Sequence, residues 1–149
     1  MVRKLRKLCN LGAAEHVLLV QLFVCALAAH VSLRVFDLPR ITRFVARFAD
    51  RQSLHLFPLG LHRCREDRLA ILVHAAARLV NPRGSCLIRS LLLFWLFRCK
   101  HEPVALLVGV SKESGIFFSH AWVEHIGKVC DDPDNVARRF VPLLRLEAR

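Results

Sequence analysis

The stretch "PVALLVGVSKESGIFFSHAWVEHIGKVCDD", residues 103–132, decides the fold. Its first part is an apolar, β-branched run opened by Pro103 and closed by the turn residues "KESG", which is how a buried strand reads. "IFFSHAWVE" and "KVCDD" then alternate around a second glycine turn and read as two more strands. Everything upstream repeats with the period of a helix. The order is helices first and a small antiparallel sheet last, an α+β fold.

Upstream, residues 13–36 read as one long helix, apolar on most sides and therefore central. Pro39 suits the first turn of a second helix, in which Ile41, Phe44, Val45 and Phe48 recur at i, i+3, i+4 and i+7, to about Ala49. "RQSLHLFPLGLHRC", with Pro58 and Gly60, reads as a connection. A third helix spans about Glu66 to Val80 and is stopped by "NPRGS" at 81–85. A fourth runs from Cys86 to about Cys99, with Ser85 as its N-cap and Cys86 in its first position. The tail "NVARRFVPLLRLEAR" suits a short helix or a final strand. At 149 residues the chain fits a single domain, 1–149, with a helical part at 1–80 and the Cys86 helix plus sheet at 81–149.

Hydrophobic residues make up 54% of the chain, enough for a real core and far from a disordered composition. Net charge is +11, but scattered: residues 1–51 carry nine Lys/Arg against three Asp/Glu, and residues 52–149 carry fourteen against nine. Only "RKLRK" at 3–7 is a run, and aromatics do not interleave with the basic residues, so nucleic acid is not expected as a partner. An acidic peptide or protein partner, or simply solubility, suits the charge better. Six cysteines (9, 25, 64, 86, 99 and 130) form no C-x-x-C and no zinc-finger spacing with the histidines. That argues for a reduced, cytoplasmic chain without a metal site. "MVRKLRK", "VLLVQLFVCALAA" and "ALA" at 26–28 look like parts of a signal peptide, and the charge-free residues 16–33 would also make a short membrane span. Glu15, His16, Gln21, His30 and Ser32, and the unbroken run into "RVFDLPRITRFVARF", favour a buried core helix, with a membrane-anchored or a secreted protein as the alternatives. His16, His30 and His74 lie in helical patterns and read as structural. Arg40, Arg43 and Arg47 form a solvated helix face that an acidic partner can meet.

The hairpin within the opening stretch carries the candidate chemistry. A three-residue loop, His125, Ile126 and Gly127, puts glycine where a left-handed residue is wanted. That register sets Glu124 against Lys128 as a cross-strand ion pair, and His120 against Asp132, with opposed Cβ atoms about 5 Å apart. A two-residue loop would instead set Ala121 against Asp132 and break the pair. Aspartate beside histidine can fix the tautomer and stabilise the imidazolium of a nucleophilic triad, although the same pair also occurs as a plain surface hydrogen bond. Cys86 is the candidate nucleophile. A helix start stabilises a thiolate, Gly84 lets a substrate backbone come close, and the Cys86 N–H can serve an oxyanion. The structural alternative is a buried thiol. Cys25 is mid-helix, Cys99 is at a helix C-terminus, Cys130 is inside a strand, and Cys9 and Cys64 lie in poorly defined segments. Trp122 and Glu124 share the His120 face; Trp122 either lines a substrate groove or covers the core, while Phe117, Ala121 and Val123 serve the sheet.

Taken together, "SCLIRSLLLFWLFR", "ALLVGVSK", "FFSHAWVEHIGKVCDD" and "FVPL" resemble the leader peptidases of lasso-peptide biosynthesis, small bacterial proteins with a transglutaminase-like, papain-related fold. The resemblance is strongest over residues 84–143 and looser through the helical N-terminal half. By position it implies Cys86 as nucleophile, His120 as general base and Asp132 as the residue that orients it, with Asp131 as the fallback. It implies a cysteine peptidase that separates leader from core in a ribosomally made precursor through an acyl-enzyme, without cofactor or metal. The implied partners are the precursor's leader peptide, a separate leader-recognition protein and an ATP-dependent cyclase that uses the freed core, all in the bacterial cytoplasm. The alternatives are a non-catalytic peptide-binding protein of the same fold and a membrane-associated basic protein.

Overall fold

Pro103 ends the helical half, and the strand after it acquires a neighbour on both sides. A computed structural model of the chain describes residues 12–51, 58–59, 61, 64–130, 132 and 135–148. Its strands are β1 (Val104–Glu113), β2 (Ile116–His125), β3 (Lys128–Cys130) and β4 (Val141–Ala148), in one antiparallel sheet of order β3-β2-β1-β4. Before them come α1 (Ala13–Val35), α2 (Leu38–Arg51), α3 (Glu66–Val80) and α4 (Ser85–Cys99), and a single turn, α5 (Val136–Arg139), leads into β4. The fold is α+β, and the tail supplies both a short helix and a strand. Most of "RQSLHLFPLGLHRC" lies outside the described residues.

The central helix is α4 rather than α1. Every α4 residue from Ser90 to Arg98 is buried, as expected of a helix that is apolar all round, and it packs against Val104, Leu106 and Val123 of the sheet. α1 was expected in that place, but full burial is confined to Leu18, Leu22 and Ala26, a narrow inner stripe at four-residue spacing. Its outer side is exposed. The helix is held by a two-point ion pair from Arg68 of α3 to Glu15, 2.9 Å at each oxygen, and by Gln21, whose Oε1 accepts the Leu59 N–H at 2.9 Å.

Both hairpins turn through two residues. Ser114 and Gly115 have φ of 50° and 83° between the paired residues Glu113 and Ile116; Ile126 and Gly127 have φ of 50° and 74° between His125 and Lys128. The expected three-residue loop at 125–127 is therefore corrected. Gly127 suits the left-handed last position of that loop, but it is left-handed in the two-residue turn as well, where the β-branched Ile126 is strained beside it. The observed register offsets that strain by sorting side chains: Cys130 joins Val123 in the main core, and Val129 joins the smaller cluster on the opposite face. Glu124 consequently faces Val129, and its ion pair is with Arg145 of β4 at 2.7 Å, not with Lys128.

β3 pairs only with Val123, Glu124 and His125, so among the described residues β2 has an open edge from Ile116 to Trp122. Residues flanking a two-residue hairpin loop exchange both main-chain bonds, so Ile116, Phe118, His120 and Trp122 turn their N–H and C=O towards β1. Phe117, Ser119 and Ala121 turn theirs to the open edge. Phe117 is 70% exposed there and does not serve the sheet core, whereas Ala121 and Val123 are buried. On β1, Gly109 lies opposite His120, where a Cβ would stand 2.7 Å from the Val141 carbonyl and 2.9 Å from the Trp122 ring. Only glycine lets the indole lie across β1. There it joins Ala105, Leu107, Val136 and Phe140 in the second apolar cluster.

Candidate active site

The "NPRGS" turn is closed by one side chain. Asn81 Oδ1 accepts the Gly84 N–H at 3.0 Å, and Asn81 Nδ2 donates to the Gly84 carbonyl at 3.4 Å. Gly84 is the N-cap and Ser85 already the first helical residue, so Cys86 occupies the second position of α4 rather than the first, and Ser85 makes no cap. The first turn still leaves N–H groups without intrahelical acceptors. The Cys86 thiol is half-buried. It is hydrogen-bonded to the His120 side chain and faces the backbone N–H groups of Ala121 and Leu87. The Ala121 N–H reaches the sulfur because it points out of the open edge of β2.

These contacts outweigh burial. The hydrogen bond to His120, helped by the two N–H groups, holds the Cys86 pKa below that of an ordinary thiol. Burial acts the other way on Cys25 and Cys64, whose thiols are pushed up. None of the five described cysteines is in a disulfide; Cys9 lies outside the described residues.

His120 Nε2 meets Asp132 Oδ1 at 3.2 Å, which leaves Nδ1 as the nitrogen for the thiol. The hydrogen bond to Asp132, and after it the one to Cys86, raises the His120 pKa to about 9 against the desolvation that would lower it. The ring lies 5.2 Å from Phe140 and nearly parallel to Trp122 at 6.4 Å, an apolar wall that fixes its plane. Trp122 is 1% exposed, so it covers the small core and supports the histidine rather than lining an open groove. Its Nε1 donates to Glu124 Oε1 at 3.5 Å.

Asp132 reaches His120 by a route that hairpin register does not describe. Among the described residues the last pair of the ladder is Val123 with Cys130, and Asp132 lies outside the strand. The carboxylate is then held by Arg89, whose Nη2 donates to Oδ2 at 2.5 Å, with the side chains only 11% and 9% exposed. Arg89 lies one turn after Cys86 on α4, and sequence reasoning missed it. The available signal was a lone cation at i+3 from the cysteine inside "CLIRSLLLFW". Thiolate, imidazolium, carboxylate and guanidinium thus alternate in sign and sum to zero, which suits a partly desolvated cluster. The arrangement can hold a thiolate–imidazolium pair near neutral pH and present it beside an open strand edge. Asp131 lies outside the described residues, and among them no three His, Cys, Asp or Glu side chains gather as metal ligands.

No curated protein and no solved structure matches the chain. The sequence model of the transglutaminase-like superfamily, which includes cysteine peptidases, matches residues 23–145, a span that takes in Cys86, His120, Asp132 and the whole sheet except its last few residues. With a cysteine at a helix start hydrogen-bonded to a histidine on an antiparallel sheet, the chain belongs to the transglutaminase-like superfamily.

Proposed function

We propose that the chain is a cysteine peptidase that cuts the leader from a ribosomally made lasso-peptide precursor, with Cys86 as nucleophile, His120 as acid and base, and Asp132 as its orienting residue. The observation that carries the peptidase reading is the Cys86–His120 hydrogen bond at the start of α4, with the thiol lowered and the imidazole raised together. The fixed order of the Cys86 helix, the apolar strand and "HAWVE" followed by an acidic residue supports the finer specificity. The open edge of β2 offers an extended peptide the main-chain groups of Phe117 and Ser119 beside the thiol.

In the reaction the Cys86 thiolate adds to the scissile carbonyl carbon, and the π pair moves to oxygen, where first-turn N–H groups of α4 can receive it. Collapse of the adduct breaks the C–N bond, and the leaving amine takes the proton from imidazolium Nδ1. Neutral His120 then removes a proton from water, which adds to the thioester. The second collapse releases the acid, returns the thiolate and leaves His120 protonated again. Asp132, clamped by Arg89, keeps the ring in the required plane and tautomer throughout. A separate recognition protein holds the leader, and an ATP-dependent cyclase takes the freed core.

The test is to incubate a cognate precursor and its recognition protein with the wild-type chain and with Cys86→Ala. Cleavage by the first and none by a folded second is expected. Cleavage at an undiminished rate by Cys86→Ala would overturn the assignment.

A further inference from the structure

α1 has two apolar faces, and the fold uses one. Opposite the packed stripe of Leu18, Leu22 and Ala26 run Val17, Val20, Val24, Leu27, Val31 and Val35, exposed by 45% to 68%. Only 17% of the most apolar 18-residue window of this helix is buried. An outer face of roughly 600 Å² is at the upper limit of what monomeric proteins leave uncovered. It continues past Ala28 and Cys25 into an apolar groove of about 320 Å³ between α1 and α2, bounded on the far side by Phe44 and Phe48. Those two rings stack at 6.2 Å and are 70% and 44% exposed.

The charges are arranged around this surface rather than in it. Residues 16–33 carry none, whereas Arg34, Arg40, Arg43 and Arg47 follow in exposed positions along the end of α1 and α2. The one acid among them, Asp37, lies 3.8 Å from Arg40. An apolar face edged by arginines and interleaved phenylalanines complements anionic headgroups above an acyl layer. A second copy of the chain would be a poorer occupant, since pairing these faces brings two bodies of +11 together. By length and composition α1 would reach across a bilayer, but Leu18, Leu22 and Ala26 are fully buried and Glu15 and Gln21 are tied to Arg68 and Leu59. The helix can therefore lie on a membrane while the fold stays intact, and crossing would require its inner face to be unpacked.

We propose that the outer face of α1, with the Phe44–Phe48 edge of α2, is a membrane-docking surface that seats the folded chain on an anionic bilayer. This is independent of the peptidase reading. The test is flotation of the full chain with vesicles of phosphatidylcholine alone and of phosphatidylcholine mixed with phosphatidylglycerol. Binding to the anionic vesicles at least tenfold tighter than to the neutral ones is expected. Val20→Glu with Leu27→Glu, and separately Arg43→Glu with Arg47→Glu, should each weaken it at least tenfold, while an unchanged circular dichroism spectrum and a cooperative unfolding transition show that the variants remain folded. No binding of the wild type to anionic vesicles, or unchanged binding by both folded variants, overturns the proposal. So does a wild-type dimer that Val20→Glu with Leu27→Glu dissociates, because the face would then belong to a second copy. A stoichiometric protein partner whose removal leaves no affinity for anionic vesicles would overturn it as well.

Discussion

Replacing Asp132 by asparagine keeps the shape of the side chain and removes the charge that does most to keep His120 protonated. In the wild type His120 titrates at about 9, with the Asp132 hydrogen bond as the first cause and Cys86 as the second. Without the carboxylate the midpoint should fall towards the ordinary histidine value of about 6.5, stopping short because Cys86 still contributes. At pH 8 the imidazolium fraction would drop from about 90% towards a limit of about 3%. The fall is readable in the carbon-bound ring protons of His120 by NMR, identified by their loss in His120→Gln, as a midpoint at least one pH unit lower. The substitution also takes from Arg89 its carboxylate, and breaking a buried pair of this kind costs about 3–5 kcal/mol. The double variant Asp132→Asn with Arg89→Met removes both charges, guards against simple unfolding, and should show the same downward movement. A folded Asp132→Asn protein in which His120 still titrates near 9 would refute the claim that Asp132 holds the histidine.

Other consequences are more direct. Iodoacetamide at near-neutral pH should modify Cys86 well before Cys25 and Cys64, because the His120 bond lowers the first thiol while burial raises the other two; mass spectrometry of digests reads the order, and equal rates would contradict the pair. Gly109→Ala forces a Cβ to within 2.7 Å of the Val141 carbonyl and 2.9 Å of the Trp122 ring, so it should lower stability by about 1–3 kcal/mol in urea unfolding; an unchanged midpoint would mean that β4 and the indole shift freely. The Arg68 hydrogen bonds hold Glu15 at about 2, below its ordinary 4.5, so this pair stabilises the fold above pH 4.5 and the benefit is lost as pH falls towards 2. The stability gap between wild type and Glu15→Gln should close over that window and be flat at neutral pH.

The helices were legible because their ends carry local chemistry: Pro39 in a first turn, "NPRGS" between two periodic runs, Pro103 before the sheet. What α1 packs against was not, since a helix apolar on every side gives no sign of which side its neighbours cover. Nor was the loop length, because Gly127 suits the last position of a three-residue loop and of a two-residue turn alike, whereas the faces of Val129 and Cys130 are decided by two separate cores.

The His120–Asp132 pair had been expected from that mistaken register, and the structure reaches it by a different cause. Carried on to residue 132, the register of β3 would set Ala121 against Asp132; instead Asp132 lies outside the strand and its carboxylate meets both His120 and Arg89. The sequence of α4 carries the other half of the signal. Helices this apolar do not bury an arginine without an anion, and one turn after a helix-start cysteine that anion must lie where the next sheet residues approach the thiol. His120 supplies the approach, and the acids just beyond "KVC" supply the anion. Arg89 therefore joins the cysteine's helix to the histidine's aspartate, two parts of the site that hairpin geometry alone leaves unconnected.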